Sequence, residues 1–343
     1  MDTLPLLAAS LAYGPDTPGL GRWLQAPADT DEPPAVRARR QQLARHATTA
    51  ARLATLQRQG WDLVAITDAR YRSLLRETAD PPGLLYCRGD WQLLQQPQLA
   101  MVGSRHGTAA ACRHASDLAR ALAAQGFVIT SGLALGVDGA AHQGALQSGQ
   151  TIAVLAHGPD RLYPARHRAL ADTLVRDGSL LVTEFPPGQA PLPGLFPQRN
   201  RLISGMSRAT LVIEAALRSG TLVTARLAAE QGREVFAMPG AVHNRFARGC
   251  HQLLRDGAEW LECAEDVTAV IAAPHPAPAD TTGHRENDTD HPLLRSLGDE
   301  TLGLEVLAAQ TGLSAPELAR QLSELELSGA VVRVAGGYRR SAW

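Results

Sequence analysis

Six short apolar runs alternate with helical stretches between residues 99 and 238, and this alternation limits the possible folds more than any other feature of the chain. The runs are 99–102, 127–130, 151–155, 180–183, 210–213 and 235–238. Unbroken apolarity over so few residues fits strands buried on both faces, and the intervening segments supply the long crossovers that parallel pairing needs. Helices are expected over 108–125, with Ala111, Ala115, Leu118 and Leu122 on one face, and over 138–147 and 221–231. The fold class that follows is α/β, a Rossmann-like doubly wound parallel sheet.

The flanks read differently. Residues 1–90 are expected to form a helical, SAM-like N-terminal domain, with apolar positions over 4–23 and an Ala- and Arg-rich stretch over 36–58. Pro81-Pro82-Gly83 stops it, and 84–87 reads as a short strand. Residues 91–271 hold the sheet. From 272 to 291 the chain turns rich in Pro, Asp, Thr and His, which marks a linker. Beyond it, 292–343 offers helices over 302–310 and 315–327, with Ser314 and Glu317 spaced as a capping box. Strands at 331–334 and 338–340 about Gly336-Gly337 complete a hairpin, so this end is expected to be a winged-helix domain.

Composition removes several chemistries. All 33 basic residues are Arg, since the chain has no Lys, so a Walker A lysine, a pyridoxal phosphate Schiff base and a lysine nucleophile are excluded. Cys87, Cys112, Cys250 and Cys263 form no CxxC pair, and His142, His157 and His167 lack metal-ligand spacing. No GxSxG elbow and no GxGxxG occurs. No metal, cofactor or catalytic residue is therefore expected. No apolar run reaches the roughly 20 residues that span a bilayer, and the first residues lack a basic n-region, so a cytoplasmic protein without a membrane contact is expected. The net charge is only −1, yet residues 196–255 carry nine Arg against three Glu, a local surplus of six positive charges.

The polar loops at the strand ends are where ligands sit in such folds. Gly103-Ser104-Arg105 lies between a strand and a helix start, so its amides and guanidinium can converge on a phosphate or a stacked base. Ser131-Gly132, followed by Gly136-Val137-Asp138, repeats the arrangement one strand along, although Asp138 can also be a plain helix cap. Ser219-Gly220-Thr221 opens a helix with small residues that allow close backbone approach. Arg199-Asn200-Arg201 places two guanidiniums beside an amide and suits a phosphate track; the alternative is an Arg pair bound to internal carboxylates such as Glu184 or Glu214.

In order along the chain come GSR at 103–105, SGLALGVDGAAHQGAL at 131–146, TIAVLAHGPDRLYP at 151–164, TEFPPG at 183–188, FPQRNRLISGMS at 196–207, EAALRSGTLVTA at 214–225 and FAMPG at 236–240. This series resembles the DprA (Smf) family of DNA-processing proteins. The resemblance implies a bacterial protein without enzymatic activity that binds and protects incoming single-stranded DNA during natural transformation. It also implies loading of the recombinase RecA onto that strand and dimerisation through the Rossmann-like domain. Carried over by motif, Arg105, Arg199 and Arg201 with Asn200 would contact the DNA backbone, and Gly103, Ser104, Ser131, Gly132, Ser219, Gly220 and Thr221 would line the pocket. Two departures stand out: Arg must serve where the family often has Lys, and His251 replaces the usual Asn of a GxNxLI motif.

With 15 Phe, Trp and Tyr in the chain, binding is expected to lean on charge and Arg stacking. The competing class is a nucleotide phosphoribohydrolase of the lysine-decarboxylase-like group, whose fold is shared and whose catalytic Glu follows Gly-Thr. Here Gly220-Thr221 is followed by Leu222, Val223 and Thr224, so that carboxylate is missing. The second helix of the winged-helix domain sets Glu317, Glu324 and Glu326 against one Arg320, so an accessory or protein-contact role is expected of it.

Overall fold

Helices α1 (Thr3–Tyr13) and α2 (Ala47–Arg58) precede β1 (Trp61–Ala65), the single turn α3 (Ser73–Arg76) and β2 (Leu84–Gly89) in a computed structural model of the chain. The described residues are 3–13, 36, 38, 40–42, 47–274, 292–297, 301–327, 330–334 and 337–340. The α/β succession then runs β3 (Gln98–Val102), α4 (Ala109–Ala124), β4 (Val128–Ser131), α5 (Val137–Ala145), β5 (Thr151–Val154), α6 (Arg168–Arg176) and β6 (Leu180–Thr183). It continues through α7 (Leu195–Met206), β7 (Ala209–Val212), α8 (Gly220–Glu230), β8 (Glu234–Ala237), α9 (Arg248–Arg255), β9 (Glu259–Trp260) and α10 (Ala264–Val270). Each of the six strands expected from apolar runs forms, with ends that agree to one residue.

Among the described residues these strands make one sheet in the order β1-β2-β6-β5-β4-β3-β7-β8-β9. From β6 to β9 all neighbours are parallel, while β1, β2 and β6 are joined antiparallel. The chain leaves β3 in one direction through β4, β5 and β6, and then returns to add β7, β8 and β9 on the other side of β3. Strand order therefore reverses between β3 and β7, where Leu99 pairs with Ala209 and Val102 with Val212. Loops at the carboxyl ends of these two strands diverge to opposite faces and leave a crevice.

The expected boundary at residue 90 does not separate two cores. Leu7, Leu53 and Leu56 of α1 and α2 share one apolar cluster with Leu63, Leu85, Val154 and Leu202, and the Tyr86 hydroxyl donates to Ser10 Oγ at 2.7 Å. Arg72 Nε donates to Met206 O at 3.2 Å, tying the same region to the end of α7. Residues 61–65 are sheet rather than helix, because Trp61, Leu63, Val64 and Ala65 are all buried against the two helices and β2, while the strand expected at 84–87 forms over Leu84–Gly89. The chain divides instead into Met1–Pro278 and Ala279–Trp343. Of the expected linker at 272–291, residues 275–291 lie outside the described residues.

The second unit holds α11 (Pro292–Leu297), α12 (Leu304–Thr311), α13 (Ala315–Leu327) and the hairpin of β10 (Val331–Val334) with β11 (Gly337–Arg340). Its core is Leu293, Leu297, Leu307, Leu318, Leu322 and Val331 with their neighbours. Helix, helix and hairpin follow in the winged-helix order expected, although Gly336 of the hairpin turn lies outside the described residues.

Candidate nucleic-acid interface

The loops after β3 and β7 are tied to each other at two places: Thr221 Oγ1 donates to Gly103 O at 3.0 Å, and Thr108 N donates to Glu214 Oε2 at 2.9 Å. Ser219 caps α8, its Oγ accepting from Thr221 N at 3.2 Å, which is the role that short hydroxyl residues play at helix starts. Gly103 is required by packing, since a Cβ there would lie 2.7 Å from the Val137 side chain of α5. Ser104 turns the chain: its Oγ accepts from His106 N at 3.1 Å, and its carbonyl accepts from Gly107 N and Val137 N. Between these loops lies a crevice of about 610 Å³, with Gly103, Ser104, Arg105, Arg199, Asn200, Ser219, Gly220 and Thr221 in its lining. Eight of the eleven expected site residues thus meet in one place.

Arg105 is the exposed cation of this crevice. Its guanidinium carbon sits 4.5 Å from the centroid of the Phe196 ring, which has a tilted Tyr163 ring at 5.8 Å and packs against Ala156, Phe185 and Leu195. Among the described residues it makes no ion pair and no side-chain hydrogen bond, so its donors face solvent. A guanidinium lying on an aromatic face keeps its edge donors for phosphate oxygens and offers a flat apolar surface to a base.

The expected phosphate track of Arg199-Asn200-Arg201 comes apart. Arg199 is 4% exposed, and its Nη1 donates to Val154 O and, at 2.7 Å, to Gly132 O. It fastens the carboxyl ends of β4 and β5 from beneath and borders the crevice without reaching out of it. Burial pulls its pKa down to about 10, with Asp138 opposing that shift and Arg105 adding to it. Arg201 pairs with Glu184 and stands 3.6 Å from Asp80, which is the internal-carboxylate alternative for this residue. Burial raises the Glu184 carboxyl above its usual range, and Arg201 acts against that rise. Among the described residues Glu214 takes no arginine; it accepts from Thr108 N at 2.9 Å and from Asn244 Nδ2 at 3.0 Å. Asn200 lines the crevice as well, with its Nδ2 3.5 Å from Gly220 O, whereas Arg201 is not in the lining.

Ser131 and Gly132 are also structural. Ser131 is fully buried and its Oγ donates to Met101 O at 2.6 Å. Gly132 has no room for a side chain, because a Cβ would fall 2.3 Å from Arg199 Nη1. Asp138 is not the helix cap, a place that Gly136 takes: its Oδ2 accepts from Gly132 N at 3.2 Å and Ala134 N at 3.4 Å, and burial raises its pKa against the pull of Arg199. The three histidines likewise serve the frame. His142, its pKa pushed down to about 3 by burial, bonds Thr151 Oγ1 at 2.7 Å, while His157 and His167 bond Gly158 O and Leu133 O. The four cysteines are free, and burial lifts Cys87 to about 12 and Cys250 to about 11, beyond the range of a reactive thiolate.

Three lining residues escape a reading based on charge: Tyr163, Phe196 and Phe246. A signal existed for Arg199 as well. Leu195, Arg199, Leu202, Ile203 and Met206 follow helical spacing, so Arg199 falls on the buried face of α7. In the second unit, Arg320 is held between Glu317 at 2.7 Å and Glu324 at 2.6 Å, which consumes the one positive charge of α13.

The family model for DNA recombination-mediator protein A matches residues 62–272, and that for the DprA winged helix domain matches residues 272–337. Protein Smf of Escherichia coli is 42% identical over 297 residues, spanning 84% of this chain and 79% of that protein. The X-ray structure of DNA processing protein A from Streptococcus pneumoniae superposes with a TM-score of 0.63 at 36% identity, over 73% of this chain and 86% of that one. DNA processing protein A from Helicobacter pylori, solved for its single-stranded DNA binding mode, gives a TM-score of 0.56 at 31% identity. That match covers 61% of this chain and 94% of the other. No described helix is long and apolar enough to cross a membrane.

Proposed function

The chain belongs to the DNA recombination-mediator protein A (DprA, Smf) family, and we propose from this that it grips single-stranded DNA in the crevice between β3 and β7. The observation that supports it most is the Arg105 guanidinium, which rests on Phe196 at the crevice and makes no ion pair among the described residues. One phosphate and one unstacked base can be held by that pair together, and a duplex, whose bases are already stacked, offers no base to it. The start of α8 adds a favourable dipole for an anion beside open space over Gly220. In the cell this grip would protect incoming strands during natural transformation and present them to RecA. A dimer built through the Rossmann-like domain, acting in the cytoplasm, completes the reading.

Binding without bond-making fits the carboxylates near the crevice. Asp138 is engaged by two amides, Glu184 by Arg201, and Glu214 by Thr108 and Asn244. No acid stands after Gly220-Thr221, where the phosphoribohydrolase alternative needs one. The test is a titration of labelled single-stranded and duplex oligonucleotides across a salt series. Tighter binding to the single strand is expected, with log affinity falling by roughly 0.7 per contacted phosphate for each decade of salt. Equal affinity for duplex and single strand, or affinity indifferent to salt, would overturn the proposal.

A further inference from the structure

Arg105 and Phe196 have a counterpart on the far wall of the crevice. The Arg245 guanidinium carbon lies 4.7 Å from the centroid of the Phe246 ring, and Phe246 lines the same crevice as Phe196. Arg245 is exposed and, like Arg105, makes no ion pair or side-chain hydrogen bond among the described residues. The two pairs stand on different parts of the fold: Phe196 at the start of α7, Phe246 in the loop that leaves β8.

That loop is held in place. Phe246 N donates to Asn244 Oδ1 at 2.9 Å, Asn244 Nδ2 donates to Glu214 Oε1 at 3.0 Å, and Ala247 N donates to Asn244 O at 3.0 Å. Glu214 is 4% exposed and also takes Thr108 N, so the anchor of the Phe246 loop reaches the start of α4 beside the Arg105 loop. A loop fixed in this way keeps Phe246 at the crevice at little entropic cost when a base arrives. We infer that Arg245 and Phe246 form a second base-stacking platform, which takes another nucleobase of the strand held by Arg105 and Phe196. This rests on the single-strand reading above. The two pairs divide the labour symmetrically, each supplying one cation for a phosphate and one ring for a base.

An abasic site walked along a single-stranded oligonucleotide separates the platforms. In the full chain, two positions are expected to lose about 5-fold or more in affinity when the base is removed, the size expected of one stacked base. Phe246→Ala should erase the penalty at one of them and keep the other, and Phe196→Ala should do the reverse. Phe246→Leu, which keeps apolar bulk and guards against misfolding, should behave like the alanine variant, whereas Phe246→Trp should retain the penalty. If both penalties survive Phe246→Ala and Phe246→Leu while Phe196→Ala removes its own, the second platform is wrong and the single-strand reading stands. The second platform is equally wrong if one phenylalanine variant, with an unchanged melting temperature, erases both penalties. Indifference of every position to Phe196→Ala and Arg105→Ala would sink the single-strand reading itself.

Discussion

Arg105 and Arg199 border one crevice, and their surroundings differ in every respect that matters to a phosphate. Arg105 is exposed, makes no ion pair among the described residues and is propped on an aromatic face. Arg199 is buried, commits its Nη1 to the carbonyls of Gly132 and Val154, and is pulled down to about 10 by desolvation. The first can exchange water for a phosphate with little loss; the second would have to abandon two strand ends to do so. Formal charge summed along the sequence therefore overstates what the crevice offers to DNA, because Arg199 and Arg201 are engaged inside the protein.

Substitution should separate the two arginines, beginning with the largest effect. Arg199→Ala leaves two buried carbonyls without a donor and Asp138 without a compensating cation. It should cost about 3 kcal/mol or more of stability, read by urea unfolding. If this variant unfolds like the wild type and loses only DNA affinity, the contrast collapses. Arg201→Ala strands the Glu184 carboxylate and should cost about 2 kcal/mol. Adding Glu184→Gln should recover part of that loss, and a double-mutant cycle showing simple additivity would deny the pair any coupling. Arg105→Ala should move stability by no more than about 0.5 kcal/mol, as for an exposed side chain. Its affinity for single-stranded DNA should nevertheless fall about tenfold, by fluorescence anisotropy, as expected for the loss of a stacked cation.

Strands β3 to β7 were legible because both their faces are buried, so each appears in the sequence as a short apolar run, and β8 shows the same pattern at its buried end, Phe236-Ala237. β1 was not: Trp61-Asp62-Leu63-Val64-Ala65 has one exposed residue, sits at the sheet edge and follows directly on a helix. β9 is too short to show a period. Of the site, the Gly103-Ser104-Arg105 and Ser219-Gly220-Thr221 loops could be read because strand-end loops have a fixed place in this topology. The fate of Arg199 could not be read from charge, since exposed and buried guanidiniums are the same letter. Only its place in the apolar register of α7 betrays it. Phe246 was hidden for another reason: a single aromatic in a loop carries no periodicity.

The reversal of strand order also bears on how the protein comes into being. Leu99 must pair with Ala209, so β3 waits for more than a hundred residues of intervening chain before its second neighbour exists. Parallel contacts between such distant segments form late in folding, after the loop they close has been gathered in. Until β7 arrives, β3 offers a bare edge of unpaired amides and carbonyls, the kind that invites pairing with another chain. A nascent chain that stops short of residue 209 thus has one wall of the crevice and an aggregation-prone edge where the other should be, and the completed groove marks a fully assembled sheet.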